Sequence, residues 1–150
     1  MTIQASIRRA VAADSRAAAA VVRTVYDEYG FTWDGARYHA DLADVEASYA
    51  AFFVADRGGE IVGTAGLTEH GSLERLYVLP AARGGGLGSA LLTAVADEAR
   101  LRGHARLEIW SDKLLVDAHR LYERHGARIV AERVNDDPDT SHEWGLILDL

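Results

Sequence analysis

Apolar positions along the chain follow two spacings, and the switches between them mark out the elements. Leu107 and Ile109 alternate with Arg106 and Glu108, the period of a half-buried strand over residues 105–110. Leu87, Leu91, Val95 and Ala99 recur every fourth residue, which places them on one face of a helix over residues 89–102 that Gly103 ends. Helical spacing also appears in Ala18, Val21, Val22 and Val25, with Asp14 as N-cap and Gly30 as stop. A fourth stripe, Leu114, Leu115, Ala118, Leu121 and Tyr122, predicts a helix over residues 112–125 that Gly126 closes, and residues 41–49 predict a shorter one. Strands are expected over residues 3–10, 51–56, 60–67, 73–79, 127–133 and 142–150, where Ile, Val, Leu and aromatic residues dominate. Turns at Arg57-Gly58-Gly59 and His70-Gly71 make three of these adjacent and antiparallel, and the polar loop 135–141 joins the last two. Residues 31–39 break the periodicity. They mix Phe31, Trp33 and Tyr38 with Asp34, Arg37 and His39, which suits either the wall of a substrate entrance or aromatics plugging the core beneath a loop.

The junction at residues 73–89 concentrates the chemistry. A strand ends at Pro80, which cannot donate to a sheet ladder, and Gly84, Gly85, Gly86 and Gly88 precede the helix. The first amides of a helix lack intrahelical acceptors and sit at the positive end of its dipole, so strand, glycine turn and helix form an anion site suited to phosphate. Two nucleotide patterns fail here. The P-loop needs a Lys after its last Gly, yet the only lysine is Lys113, and GxGxxG started at Gly84 meets Ser89 where its third Gly belongs.

The pattern that fits is R-x-x-G-x-G in Arg83, Gly86 and Gly88, following V-x-P in Val78 and Pro80. This resembles the acyl-coenzyme A motif of the GNAT superfamily of N-acetyltransferases. Residues 118–127 are similar to the family's A-x-x-L-Y-x-x-x-G-F segment, with Ala127 in place of the aromatic. The element order is similar to the GNAT fold throughout, so one α/β (α+β) domain over residues 1–150 is expected. Its sheet would be mixed and mostly antiparallel, of six to seven strands, with a parallel strand-helix-strand core and about four helices. The parallel pair would carry a right-handed crossover.

The resemblance implies acetyl-CoA as cosubstrate. Amides of residues 83–89 would cradle its pyrophosphate, with Gly84, Gly85, Gly86 and Gly88 leaving room for it and Ser89 opening the helix. Arg83 would either add charge to the phosphate or merely cap the turn. The pantetheine arm would pair with the backbones of Leu76 and Val78, and the amide near Val78 could polarise the thioester carbonyl. The family places a general acid at the position of Tyr122; the alternative is a core tyrosine. A primary amine is mostly ammonium at neutral pH, so a base or water chain must take its proton. Glu74, two and four residues before Leu76 and Val78, is expected on the same strand face and is the candidate base or amine-orienting carboxylate. The alternative is a solvated carboxylate paired with an arginine. Glu69 and Asp112 are weaker substitutes. Trp33, Tyr38 and Glu74 are the candidate acceptor contacts.

Composition narrows these expectations. Zero cysteines remove a thiol nucleophile and thiolate metal sites, which leaves direct transfer or transfer through another nucleophile. A net charge of -7 disfavours nucleic acid and mildly favours a cationic partner. There is no HExxH, and the six histidines read as solvated surface residues with no metal set. No apolar run of about 18 residues and no signal-peptide pattern occur, so neither a membrane span nor export is expected and the protein is assigned to the cytoplasm. The final strands offer a route to a homodimer that nothing in the sequence requires. Against an enzyme acting on a small-molecule or peptide amine stands a coenzyme A-binding sensor or interaction module without turnover.

Overall fold

The computed structural model describes residues 4–150. Its elements in chain order are β1 (Ser6–Arg9), α1 (Ser15–Tyr29), α2 (Val45–Ser48), β2 (Ala51–Arg57), β3 (Glu60–Leu67), β4 (Ser72–Val78), α3 (Leu87–Leu101), β5 (Arg106–Asp112), α4 (Val116–Arg124), β6 (Arg128–Val134) and β7 (His142–Asp149). The Ile3 end of the first expected strand lies outside the described residues. Seven strands form one sheet in the order β1-β2-β3-β4-β5-β7-β6, antiparallel except between β4 and β5.

Alternation along the strands feeds two cores. Val62, Ala65, Leu73, Leu107, Ile109 and Leu146 meet Leu91, Leu92, Val95 and Ala99 of α3 and Leu121 of α4 on one face. Phe52, Val54 and Ile61 meet Ala18, Val21, Val22 and Tyr26 of α1, together with Val45 of α2, on the other. α1 ends as its sequence predicts, with Gly30 left-handed at φ 72.

The strand that positions the site is β4, and it is irregular. Its register against β3 runs Val78↔Gly63 and Tyr77↔Thr64, then Glu74↔Gly66, so Arg75 and Leu76 together oppose Ala65. Arg75 carries the extra residue in a left-handed conformation, φ 55, and its carbonyl accepts a hydrogen bond from the buried Thr64 hydroxyl at 2.7 Å. β4 pairs with β5 only at Ser72↔Glu108 and Leu73↔Ile109, whereas β5 pairs with β7 all the way to Asp112↔Glu143. Beyond Leu73, β4 and β5 therefore splay apart.

Several expectations change in tertiary context. Asp14 precedes α1 without capping it by its side chain; its carboxylate instead accepts from both Nη atoms of Arg8, at 2.8 and 2.9 Å, and from the Val11 amide. The expected helix over residues 41–49 divides into a 3-10 turn at Ala40–Ala43 and the short α2, whose Asp44 side chain accepts from the Ala47 amide. α4 starts four residues late because the ladder to β7 holds Asp112 in β5, and this leaves Leu114 63% exposed, off the predicted apolar face. Two histidines expected at the surface are buried, His39 and His119. His119 Nε2 lies 3.2 Å from Ser111 Oγ.

Candidate active site

The splay opens two cavities that share Leu76, Tyr77 and Leu115 in their walls. The first, of about 540 Å³, is bounded by the glycine turn and the start of α3, with α4 opposite. Leu76, Val78, Arg83, Gly84, Gly86, Gly88 and Ser89, all expected to hold the cosubstrate, line it. An ideal Cβ on Gly84, Gly85 or Gly86 would meet no atom within 4 Å, so the turn presents bare backbone to open space. Gly86 is left-handed at φ 83 and starts α3, its carbonyl accepting from the Ala90 amide at 3.0 Å. The amides of Leu87, Gly88 and Ser89 in the first turn therefore lack intrahelical acceptors.

The edge of β4 faces the same space. The Leu79 amide donates to the Val62 carbonyl, so antiparallel alternation turns the amide and carbonyl of Val78 away from β3 and toward the splay. Arg83 departs from the phosphate role expected as one option. Its two Nη atoms donate to Glu28 at 2.7 and 2.8 Å, and its Nε donates to the Val78 carbonyl at 3.0 Å, which ties the turn to α1 and to the end of β4. Arg120 and Arg124 of α4 line the cavity instead, four residues apart on one helix face, a spacing the sequence displayed but whose partner surface it did not. Bare turn, free amides, a strand edge that β5 leaves beyond Leu73 and two arginines suit a long ligand carrying phosphates.

The second cavity, of about 430 Å³, lies on the other side of Leu76 and Tyr77. Glu74 and Tyr122 both line it. Glu74 does not share a face with Leu76 and Val78 as its spacing suggested. The bulge at Arg75 inverts the alternation, so Leu76 and Val78 pack with the α3 core, whereas Glu74 approaches Tyr49 in the α1 core. Tyr38 lines the cavity, but Trp33 does not; it stacks on buried His39 at 4.2 Å and packs in the α1 core, the plugging role. The loops at 31–39 and 135–141 close over this space. Thr32 donates through its amide and hydroxyl to Asp139 at 2.7 and 2.6 Å, and Asn135 Nδ2 donates to the Tyr38 hydroxyl at 2.9 Å.

Seven carboxylates line the second cavity against two guanidiniums, Arg75 and Arg133, so its field is acidic. Arg75 is held by Asp41 and the Tyr38 carbonyl, and Arg133 donates to Glu143 while lying 4.2 Å over the Trp110 ring. Trp110 can lie flat because a Cβ on Gly145 would stand 2.8 Å from its ring. Loss of water around Glu74 raises its pKa, with nearby Asp41 reinforcing the rise and Arg75 opposing it. Glu143 rises for the same first reason, against the pull of Arg133. Burial alone raises the Tyr122 phenol, which keeps it protonated across the working pH range. Arg75, Asp41 and Tyr49 escaped the sequence reading, since Asp41 and Tyr49 stand 34 residues before Arg75 and 25 before Glu74 with no pattern linking them.

The Acetyltransferase (GNAT) family model matches residues 18–127. An uncharacterized N-acetyltransferase of Escherichia coli, YjgM, is 33% identical over 133 residues, covering 80% of each chain. The aminoalkylphosphonate N-acetyltransferase of Salmonella typhimurium is 36% identical over 98 residues, which are 59% of this chain and 62% of the relative. Among solved structures, a GNAT acetyltransferase from Staphylococcus aureus superposes with a TM-score of 0.84 at 18% identity, covering 97% of this chain and 99% of the other. A putative acetyltransferase from Salmonella typhimurium solved with acetyl-CoA superposes at 0.79 and 24% identity, covering 97% and 94%. With the family model spanning both the glycine turn and the Tyr122 segment, and the fold shared from end to end, the chain belongs to the GNAT family of acetyltransferases and is an acetyl-CoA-dependent N-acetyltransferase.

Proposed function

We propose that the enzyme transfers the acetyl group of acetyl-CoA directly to the primary amine of a small molecule or peptide, with Glu74 as base and Tyr122 as acid. The observation that carries this reading is the shared wall of Leu76 and Tyr77, which brings a phosphate-suited cavity and an acidic cavity together at one end of β4. Acetyl-CoA enters along the first, with its pyrophosphate on the amides of residues 84–89 and its arm along the free edge of β4. The acceptor enters the second as an ammonium, drawn by the excess of carboxylates.

Glu74 takes the proton. A lysine-like amine has a pKa of about 10.4 and a glutamate about 4.3, a gap that opposes transfer in water; the raised pKa of Glu74 narrows it. The freed lone pair attacks the thioester carbonyl, and the outward-facing amide of Val78 stabilises the oxyanion. The C–S bond breaks, and the Tyr122 hydroxyl gives its proton to the departing thiolate. The acidic cavity and its aromatic wall suit an amine with an apolar body, and the small-molecule acceptor named for the Salmonella relative agrees with a compact substrate.

A thiol-release screen with acetyl-CoA against polyamines, amino acids, aminoglycosides and short peptides tests the reading. Amine-dependent release, with the acetylated amine identified by mass, is the expected result. Acetyl-CoA binding with no release from any amine would leave only a binding module.

A further inference from the structure

The carboxylate of Glu74 faces a hydroxyl whose hydrogen is committed elsewhere. Tyr49 Oη lies 3.4 Å from Glu74 Oε2 and makes a much shorter hydrogen bond to Asp41 Oδ2. A phenol has one hydrogen, and the closer carboxylate takes it. Asp41 is fixed for this by Arg75, which donates to both of its oxygens at 3.0 and 3.1 Å and also to the Tyr38 carbonyl. Toward Glu74, Tyr49 therefore presents a lone pair. Two oxygens with no proton between them stand apart, and 3.4 Å is beyond the usual 2.5–3.0 Å of a hydroxyl hydrogen bond.

We infer that Tyr49 is a positioning residue for Glu74, and that its oxygen accepts a hydrogen bond from the Glu74 carboxyl once that group has taken the acceptor's proton. The inference rests on Glu74 being the base. The step moves one proton, from the ammonium nitrogen to Glu74 Oε2; the nitrogen keeps the electron pair, the new O–H turns to Tyr49 Oη, and Tyr49 keeps its own hydrogen, still donated to Asp41 Oδ2. A partner that serves only the protonated form strengthens the base. The charged and titratable groups facing Glu74 are Arg75 beside it in β4, Asp41 from the turn before α2, Tyr49 from the turn after α2, and His70 from the turn before β4. The rigid setting comes from packing: Tyr49 is 7% exposed, its ring lies 5.1 Å from Phe52, and only a glycine at position 66 leaves room for it, since a Cβ there would come within 2.8 Å.

The test is the pH dependence of kcat at saturating amine and acetyl-CoA, for Tyr49→Phe made alone and in a Glu74→Gln background. Phenylalanine keeps the ring contacts, and the melting temperature checks that the fold survives. Removing one hydrogen bond to the protonated form should move the acid limb of the single variant down by about half a pH unit to one unit. In the Glu74→Gln background the shift should vanish. A limb that moves up would mean that Tyr49 donates to the ionised carboxylate, and that outcome, an unmoved limb, or a shift that persists without Glu74 would each overturn the inference while leaving the base in place. Unchanged kcat and an unchanged limb in Glu74→Gln alone would instead remove Glu74 as base, and the inference with it.

Discussion

Glu74 and Leu76 stand two positions apart on one strand yet face opposite sides of the sheet. The residue between them is the cause. Arg75 adds one position to β4 in a left-handed conformation, at a cost of roughly 1–2 kcal/mol for a non-glycine residue. The hydroxyl of Thr64 and the pairing of Arg75 with Asp41 hold it there. The bulge turns Leu76 and Val78 to the side of the α3 core and the Glu74 carboxylate to the side of Tyr49.

Thr64→Val keeps the shape of the side chain and leaves the Arg75 carbonyl without its partner. Stability should fall by about 1–3 kcal/mol, as for a buried acceptor left unsatisfied, and kcat should fall with it because the bulge aims Glu74. Chemical denaturation and steady-state rates on the same preparation check both.

Tyr122→Phe preserves the buried ring and deletes the hydroxyl proposed as proton donor. A loss in kcat of about 10-fold to 10⁴-fold is expected, the usual range for general acid catalysis, with little change in the melting temperature. Single-turnover measurement isolates the chemical step, and an unchanged rate there would exclude Tyr122.

Gly85 lies in the turn with open space where a Cβ would stand and is not among the glycines held at positive φ. Gly85→Ala should therefore bind acetyl-CoA much as the native chain does, whereas Gly85→Asp should weaken binding roughly tenfold by placing a like charge beside the phosphates. Calorimetry on the two variants separates charge from shape.

His39 is 1% exposed, and burial first, with Arg75 assisting, lowers its pKa to about 4. Its Nδ1 accepts from the Asp34 amide at 3.1 Å, so the ring proton sits on Nε2, which has no partner among the described residues. The unfolded chain binds this proton near pH 6.5 and the folded chain only near 4, so the histidine's contribution is present above pH 6.5 and lost as pH falls toward 4. The loss is on the order of 2–3 kcal/mol. Urea unfolding of His39→Gln should show a flatter stability profile across that window.

Asp139, which lines the second cavity, joins the 135–141 loop to Thr32. Asp139→Ala should raise KM for the amine about three- to tenfold, the size of a weakened charge-assisted contact, and leave acetyl-CoA affinity unchanged. A KM that does not move would make the latch irrelevant to the acceptor.

Local information determined most of the elements and the glycine turn of this protein. Gly30, Pro80 and the spaced glycines act through their own backbone geometry, and the stripes on α1 and α3 repeat at the helical period, so each is readable without knowing what lies opposite. The similarity of residues 118–127 to the family's segment is likewise carried by adjacent residues, and the fold then places Tyr122 in the wall of the second cavity. What only the tertiary structure decided is which residues line the second cavity. A strict two-residue period put Glu74 with Leu76, and a single inserted position reversed it, because the bulge is set by Thr64 on the neighbouring strand and by Asp41 from beyond the sheet. Trp33 and Tyr38 differ little in sequence, yet one stacks on His39 in the core and the other faces the cavity. Arg83 suits either a phosphate or a cap on the turn by its sequence alone, and only the fold brings Glu28, 55 residues earlier, against it. Contacts across such separations depend on how the strands pair and splay, and that is fixed by packing two cores on one sheet, not by any short stretch of the chain.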